Sequence, residues 1–174
     1  CAVSLTLGDY IRNMIRSSGF DVAGVHDKKS LEKKLQQLQN ADDTLNVGVM
    51  MFDLNDLKYC NDTFGHAAGD KYIQDAAKLI SEVFEPAGVC YRIGGDEFCA
   101  VIRHARSEWV EECLRRLEYL ERKYNEGKTD VPMRIAYGYA IFDEQYDKNM
   151  EETRNRADVK MYEKKRAIKA EERK

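Results

Sequence analysis

The stretch "YRIGGDEFCAVI", residues 91–102, decides the fold: two apolar runs meet at a Gly-Gly pair followed at once by two acids. Residues 89–93 and 98–102 read as adjacent strands of one hairpin with Gly94-Gly95 at its tip. Negative charge at a turn between two segments built for burial has two readings. A hairpin tip needs a flexible, soluble turn, and a tip that holds a metal ion has the same composition.

Outward from the hairpin, "NVGVMMF" (46–52) reads as a short buried strand. The segment "GDKYIQDAAKLISEVFE" (69–85) carries Ile73, Ala76, Ala77, Ile80, Val83 and Phe84 on one helical stripe. Downstream, "SEWVEECLRRLEYLERKYNEG" (107–127) aligns Trp109, Cys113, Leu117 and Leu120 and stops at Gly127. "MRIAYGYAIF" (133–142) alternates as a strand does, and a helix over about 150–172 follows it. Toward the start, "SLEKKLQQLQN" (30–40) sets Leu31, Leu35 and Leu38 on one face, with Ser30 as candidate cap. The order β-α-β-β-α-β with an extra C-terminal helix predicts an α+β, ferredoxin-like core: an antiparallel central sheet with helices on one face. Residues 1–20, containing "LTLGDYIRNMIRSSG" (5–19), read as a helical lead-in or linker from an upstream domain, and 21–174 as one domain.

Composition narrows the class. A chain of 174 residues, 43% hydrophobic and 34% charged, is a globular domain long enough for a real core. The longest apolar run, residues 47–52 broken by Gly48, is too short to cross a bilayer. The chain does not begin with Met and has no signal-peptide pattern, so it reads as a piece of something longer. Its net charge of -3, with both signs interspersed, gives no footprint for nucleic acid or a membrane surface. Five cysteines without metal-ligand spacing read as buried thiols in a reducing cytoplasm; Cys90 and Cys99 face each other only if the hairpin centres on Gly94-Gly95.

In "MMFDLNDLKYCNDTFGHAAGD" (50–70) a buried strand ends in Asp53. An Asp there alone is ordinary turn chemistry. Asp96, however, sits on the tip of the hairpin expected beside it, and two facing carboxylates repel unless a cation lies between them. Mg2+ prefers oxygen ligands, typically one or two carboxylates with phosphates and water, so such a pair suits a nucleotide-metal site.

These two segments resemble the motifs of the GGDEF domain family, the diguanylate cyclases: "RIGGDEF" (92–98) and "FDLNDLKYCNDTFGHAAGD" (52–70), over residues 21 to 172. The resemblance implies condensation of two GTP into cyclic di-GMP with release of two pyrophosphates, each 3′-hydroxyl attacking the partner's α-phosphorus. It implies a divalent metal, Mg2+ or Mn2+, held by Asp53, Asp96 and the backbone carbonyl of Leu54. Asp96 matches the acid credited with activating the hydroxyl, a task the metal itself can perform by lowering the hydroxyl's pKa. Glu97 is the neighbouring acid, serving metal or water. Gly94 and Gly95 let the backbone approach the nucleotide.

The resemblance assigns Asn61 and Asp70 to guanine, whose N1-H and N2 amine an Asp can accept; Asp70 also suits the start of the following helix. His66 reads as a structural hydrogen-bonding group. Lys58 matches a phosphate-contacting lysine beside the backbone N–H groups of 55–58, and Leu57 stands where Phe is frequent. Lys165 and Lys169, four apart on one helix face, match pyrophosphate-binding positions, although a solvated face has the same pattern; Ala157, Met161 and Ile168 form the core side.

Several positions depart from the family pattern. Asp27-Lys28-Lys29 stands for Asn-Arg-Arg, and Ile168-Lys169 for Gly-Arg, which keeps charge but loses the guanidinium fork. Glu85-Pro86-Ala87-Gly88 replaces the Arg-x-x-Asp element at which many relatives bind product and are inhibited. The expectation is a GTP-using, metal-dependent enzyme working as a homodimer, without product inhibition at that element, under an upstream sensory or regulatory domain. Its expected compartment is the cytoplasm, a membrane-bound sensor being one way such a domain is carried. The alternative is a catalytically silent GTP-binding regulatory module; a cyclic di-GMP receptor is disfavoured by the Glu85–Gly88 segment.

Overall fold

The computed structural model describes residues 24–127 and 130–171; the lead-in expected over 1–20 lies outside them. Ten elements follow in order: β1 (His26–Asp27), α1 (Lys28–Asn40), β2 (Gly48–Leu54), α2 (Leu57–Phe64) and α3 (His66–Phe84), then β3 (Gly88–Arg92), β4 (Glu97–Ile102), α4 (Ser107–Asn125), β5 (Ile135–Ile141) and α5 (Met150–Glu171). The five strands form one sheet in the order β1-β3-β4-β2-β5. Strands β2 to β5 are paired antiparallel, in the ferredoxin-like arrangement the sequence predicts, and the two-residue β1 adds in parallel to β3.

The expectation of helices on one face is corrected. On one side α3 and α4 pack Ile73, Ala76, Ile80, Val110 and Leu117 against Met50, Phe52, Phe98 and Ala100. On the other, α1 and α5 pack Leu31, Leu35, Met150, Ala157 and Met161 against Val49, Met51, Cys99 and Val101. The cause is in β2: all seven of its residues are buried, because a strand sandwiched between two helical layers cannot alternate apolar with polar.

Local chemistry sets the ends. The cap of α1 is Asp27, not Ser30: the Ser30 N–H donates to Asp27 Oδ1 at 2.8 Å, and hydrogen bonding from Ser30, by its side chain first and then by this N–H, holds the Asp27 carboxyl below its ordinary pKa. In the hairpin Cys90 pairs with Ala100 and Tyr91 with Cys99, so the two thiols do not face each other. Cys60, Cys90, Cys99 and Cys113 are buried free thiols.

Helix α5 lies directly on the edge strand. A Cβ on Gly138 would stand 2.2 Å from the Met161 nitrogen and 2.3 Å from the Ala157 carbonyl, so this approach requires glycine. Lys160 and Lys164 then stand over the Tyr139 and Tyr137 rings, with Nζ 5.2 and 4.5 Å from the centroids. Those lysines cover the open edge of β5. The same docking carries the C-terminal half of α5 toward the end of β2.

Candidate active site

The site forms where β2 runs out. Asp53 pairs in register with Glu97 of β4, and the Leu54 N–H donates to the Asp96 carbonyl at 2.8 Å. The hairpin tip therefore sits beside the strand end, as expected. The turn is closed by the Ile93 N–H donating to the Glu97 carbonyl at 2.9 Å. Arg92, which the motif reading passed over, ties the tip down: its Nε donates to the Gly94 carbonyl at 3.1 Å and an Nη to that of Gly95 at 2.9 Å.

Neither tip glycine adopts a positive φ, and a Cβ on Gly95 would meet nothing within 4 Å. The fold itself does not require glycine at 95, which leaves open space above the tip.

Asp53 is only 3% exposed. Burial raises its pKa; the ammonium of Lys165 opposes that rise, while the charge of Asp96 adds to it. Lys165 Nζ stands 2.7 Å from both carboxylate oxygens, but only Oδ2 receives it with hydrogen-bond geometry. Oδ1 is buried and held by that ion pair alone. Glu97 is also pushed up, by burial first and then by Asp53 and Asp96. Three acids thus crowd one corner, with one ammonium bonded to the most buried of them. Among the described residues no three His, Cys, Asp or Glu side chains form a ready-made metal cage.

A cleft of about 430 Å³ opens beside this corner, lined by Leu54, Asn55, Leu57, Lys58, Asp96, Lys165 and Lys169 among others. Lys58 projects from the first turn of α2, a helix the sequence reading did not separate from its surroundings, and Lys169 lies one turn beyond Lys165 on α5. Asp56, Asp62 and Asp96 line the cleft beside the three lysines and the backbone N–H groups at a helix start, so it offers groups for both an anion and a cation.

The pair assigned to guanine stands apart from this lining. A Cβ on Gly69 would fall 1.8 Å from Asn61 Oδ1, so the Asn61 amide packs against the residue preceding Asp70. Asp70 is exposed in the first turns of α3. Asn55 is the residue missed: it is 2% exposed and both atoms of its amide are unpaired. Its only signal in the sequence was its place two positions after Asp53, the repeat of an extended chain.

Comparisons with known proteins agree with this architecture. Residues 21–171 match the family model described as "Diguanylate cyclase, GGDEF domain". The chain belongs to the GGDEF domain family. It is 31% identical over 123 residues to diguanylate cyclase A of Treponema denticola, covering 68% of this chain and 32% of that protein. It is also 28% identical over 134 residues to the cyclic di-GMP phosphodiesterase PdeB of Shewanella oneidensis, covering 73% of this chain and 15% of that one. Among solved structures, the coiled coil and GGDEF domain of DgcB from Caulobacter crescentus, in complex with c-di-GMP, superimposes with a TM-score of 0.74 at 19% identity. That match covers 92% of this chain and 87% of the other, and it establishes the fold. The chain spans a third or less of the length of these two curated relatives. The names of these relatives include both a diguanylate cyclase and a cyclic di-GMP phosphodiesterase. Among the described residues no helix is long and apolar enough to cross a membrane.

Proposed function

We propose that this chain is a diguanylate cyclase that condenses two GTP into cyclic di-GMP, releasing two pyrophosphates. The observation that carries the reading is the buried Asp53 carboxylate beside Asp96 and Glu97, in a corner where three acids face one ammonium. A divalent cation suits that donor set. Asp53, Asp96 and the Leu54 carbonyl are the groups that would hold it, with phosphate oxygens and water completing a hard-ion shell. Such an ion neutralises charge on the reacting phosphate and acidifies a nearby hydroxyl.

The other roles belong to the chain. Lys58, Lys165 and Lys169 bind the phosphates that become pyrophosphate, as lining of the lysine-rich cleft. Lys165, held on Asp53 in the ligand-free chain, would be free for that task where a cation took its place. Asn61 and Asp70 read guanine, the Asn61 amide packing against Gly69, which precedes Asp70. Leu57, half-buried on the cleft wall, packs against the nucleotide. Gly94 and Gly95 leave the tip bare for its approach. When the 3′-hydroxyl forms its bond to the α-phosphorus, the phosphorus–oxygen bond to pyrophosphate breaks and the hydroxyl proton passes to a carboxylate at the tip. Asp96 and Glu97 are the carboxylates we assign to that role; burial, then the charges of Asp53 and Asp96, raise the Glu97 pKa.

One chain offers one such site and the reaction joins two nucleotides, so catalysis requires a homodimer. An upstream sensory or regulatory domain would control that encounter. Glu85 at the end of α3 places a negative charge where a product-gripping arginine stands in many relatives, so this site gives no feedback inhibition. Cyclic di-GMP titrated into the reaction leaves the initial rate unchanged; tight inhibition that disappears on changing residues 85–88 would refute this.

The test of the main reading is incubation with GTP and Mg2+, mass-spectrometric detection of cyclic di-GMP, and an Asp96→Ala control. Product from the wild-type chain and none from the control supports the cyclase. GTP binding without product supports the silent regulatory module instead.

A further inference from the structure

The β2–β5 ladder ends in an irregular rung. Leu54 faces Ile135 in register, so Asn55 and Arg134 are the next pair. A hydrogen-bonded pair of antiparallel residues normally exchanges two direct bonds. Here one is direct, the Asn55 N–H donating to the Arg134 carbonyl at 2.9 Å. In place of the other stands the hydroxyl of Tyr72, from α3. It accepts the Arg134 N–H at 3.3 Å and donates to the Asn55 carbonyl at 3.0 Å, with the Pro132 carbonyl a longer alternative at 3.4 Å. A hydroxyl has one proton and two lone pairs, so it can serve both strands at once. Tyr72 is only 4% exposed, and burial raises its pKa, so the proton it donates stays in place.

The interposed oxygen widens that side of the rung and turns the chain leaving β2 away from β5. Asp56 follows at φ 63°, and α2 then begins with Leu57 and Lys58. The β5 side has its own anchors on α4. Asn125 exchanges two bonds with Met133, at 2.7 and 2.8 Å, and the Ile135 N–H donates to Glu121 at 2.8 Å. What Tyr72 adds is therefore control of the β2 side. Leu54 is still extended, so its N–H and its carbonyl share one edge of the strand. That N–H donates to the Asp96 carbonyl, and the Leu54 carbonyl faces the hairpin tip with it. Leu54, Leu57, Lys58 and Asp96 line the cleft, whereas Tyr72 is not among its lining residues. Tyr72 also lies two residues after Asp70 on α3, so one helix carries a residue assigned to guanine and the pin at the strand end. We infer that Tyr72 is a positioning residue: its hydroxyl, interposed in the last β2–β5 rung, sets the course of the chain from the Leu54 carbonyl to Lys58 and so the spacing of those groups from Asp96. Without that oxygen the Asn55 carbonyl and the Arg134 N–H are left to close directly, which draws residues 55–58 toward β5 and away from the tip. This inference rests on the cyclase reading and adds to that site a residue that touches no substrate.

The test compares wild type, Tyr72→Phe and Tyr124→Phe. Each variant loses one hydroxyl, but that of Tyr124 is bonded to Asp75 at 2.8 Å and makes no contact with the last rung. Calorimetry with the α,β-methylene analogue of GTP and Mg2+ reads affinity; that analogue keeps the phosphates but cannot release pyrophosphate. Cyclic di-GMP formation reads kcat and KM, and urea denaturation reads stability. Misplacement of the cleft wall by about an ångström predicts a kcat lower by roughly 10- to 100-fold in Tyr72→Phe. Its affinity for the analogue falls by about tenfold, and kcat falls further than KM rises. Tyr124→Phe binds and turns over as wild type. If Tyr72→Phe binds the analogue and turns over as wild type, whatever its stability, the residue has a structural role and the inference is overturned while the cyclase reading stands. Equal losses in the two variants overturn it as well. Should wild type bind the analogue but make no product, the affinity comparison alone decides. No binding by the wild-type chain overturns the cyclase reading and this inference with it. Tyr72→Met carries the same comparison if phenylalanine is not accommodated.

Discussion

Replacing Lys165 by methionine keeps the aliphatic stem and removes the charge that compensates Asp53. In the ligand-free protein the ammonium lies 2.7 Å from both carboxylate oxygens. At that distance, with an effective dielectric constant of about 20, the gross attraction is about 6 kcal/mol. Most of it is cancelled by the cost of desolvating two charges; removing one partner of a fully buried pair typically destabilises by about 3–5 kcal/mol. The Asp53 side chain is 5% exposed but that of Lys165 is 23% exposed, which places the loss just below that range, about 2–3 kcal/mol. For a domain of this size that lowers the melting temperature by roughly 5–10 °C. Urea denaturation of wild type, Lys165→Met, Asp53→Asn and the double variant closes a cycle in which the double variant is less destabilised than the two single losses summed. Magnesium supplies the second half of the test. If the carboxylates of Asp53 and Asp96 accept a divalent cation, Mg2+ stabilises Lys165→Met more than wild type, because no ammonium competes for Asp53. A loss below about 0.5 kcal/mol, the level of an exposed ion pair, or equal Mg2+ stabilisation of both proteins, would refute the reasoning.

Asp53 and Glu97 bind their protons more tightly in the folded chain than at the ordinary values of 3.8 and 4.5, so their ionisation costs stability above the folded pKa. That cost is relieved as pH falls from the folded values toward the ordinary ones, and the double variant Asp53→Asn, Glu97→Gln should show a flatter dependence of unfolding free energy on pH across that window. Mg2+ affinity, which needs ionised acids, should begin to fall on acidification at a higher pH than for an ordinary carboxylate site, as calorimetry at stepped pH would show. Gly95→Ala, with nothing within 4 Å of the added Cβ, leaves the melting temperature unchanged but lowers nucleotide turnover. Gly138→Ala drives a methyl into the α5 backbone and costs about 1–3 kcal/mol or more, with activity lost because Lys165 and Lys169 shift with the helix. Specific activity of the isolated chain rises with protein concentration, as a reaction across two copies demands; a constant value would contradict the dimer requirement.

The sheet was legible because its strands carry their own punctuation. Gly94-Gly95 sets the hairpin, and the run ending at Asp53 fixes which acid meets the tip. The second helical layer was written in the same run: Val49, Met50, Met51 and Phe52 leave no polar face, which a one-sided sheet would need. Helix α2 was harder, since Cys60 is its one buried residue and it starts from Asp56 at φ 63°, giving no stripe to read. The role of α5 was half legible. Met150, Ala157 and Met161 mark its buried side, but a run of lysines does not say which of them reaches an acid 112 positions earlier. Asn55 was illegible for a different reason: an unmade hydrogen bond is a property of the folded surroundings, and no residue type announces it.

The account stands on a shared cation between the end of β2 and the hairpin tip, and anomalous scattering from Mn2+ in crystals grown with the α,β-methylene analogue of GTP locates that ion directly. The predicted result is a manganese peak within coordination distance of both the Asp53 and Asp96 carboxylates, with Lys165 withdrawn from Asp53 onto the phosphates. A nucleotide bound in the cleft with Lys165 still on Asp53, and manganese elsewhere or absent, would contradict it.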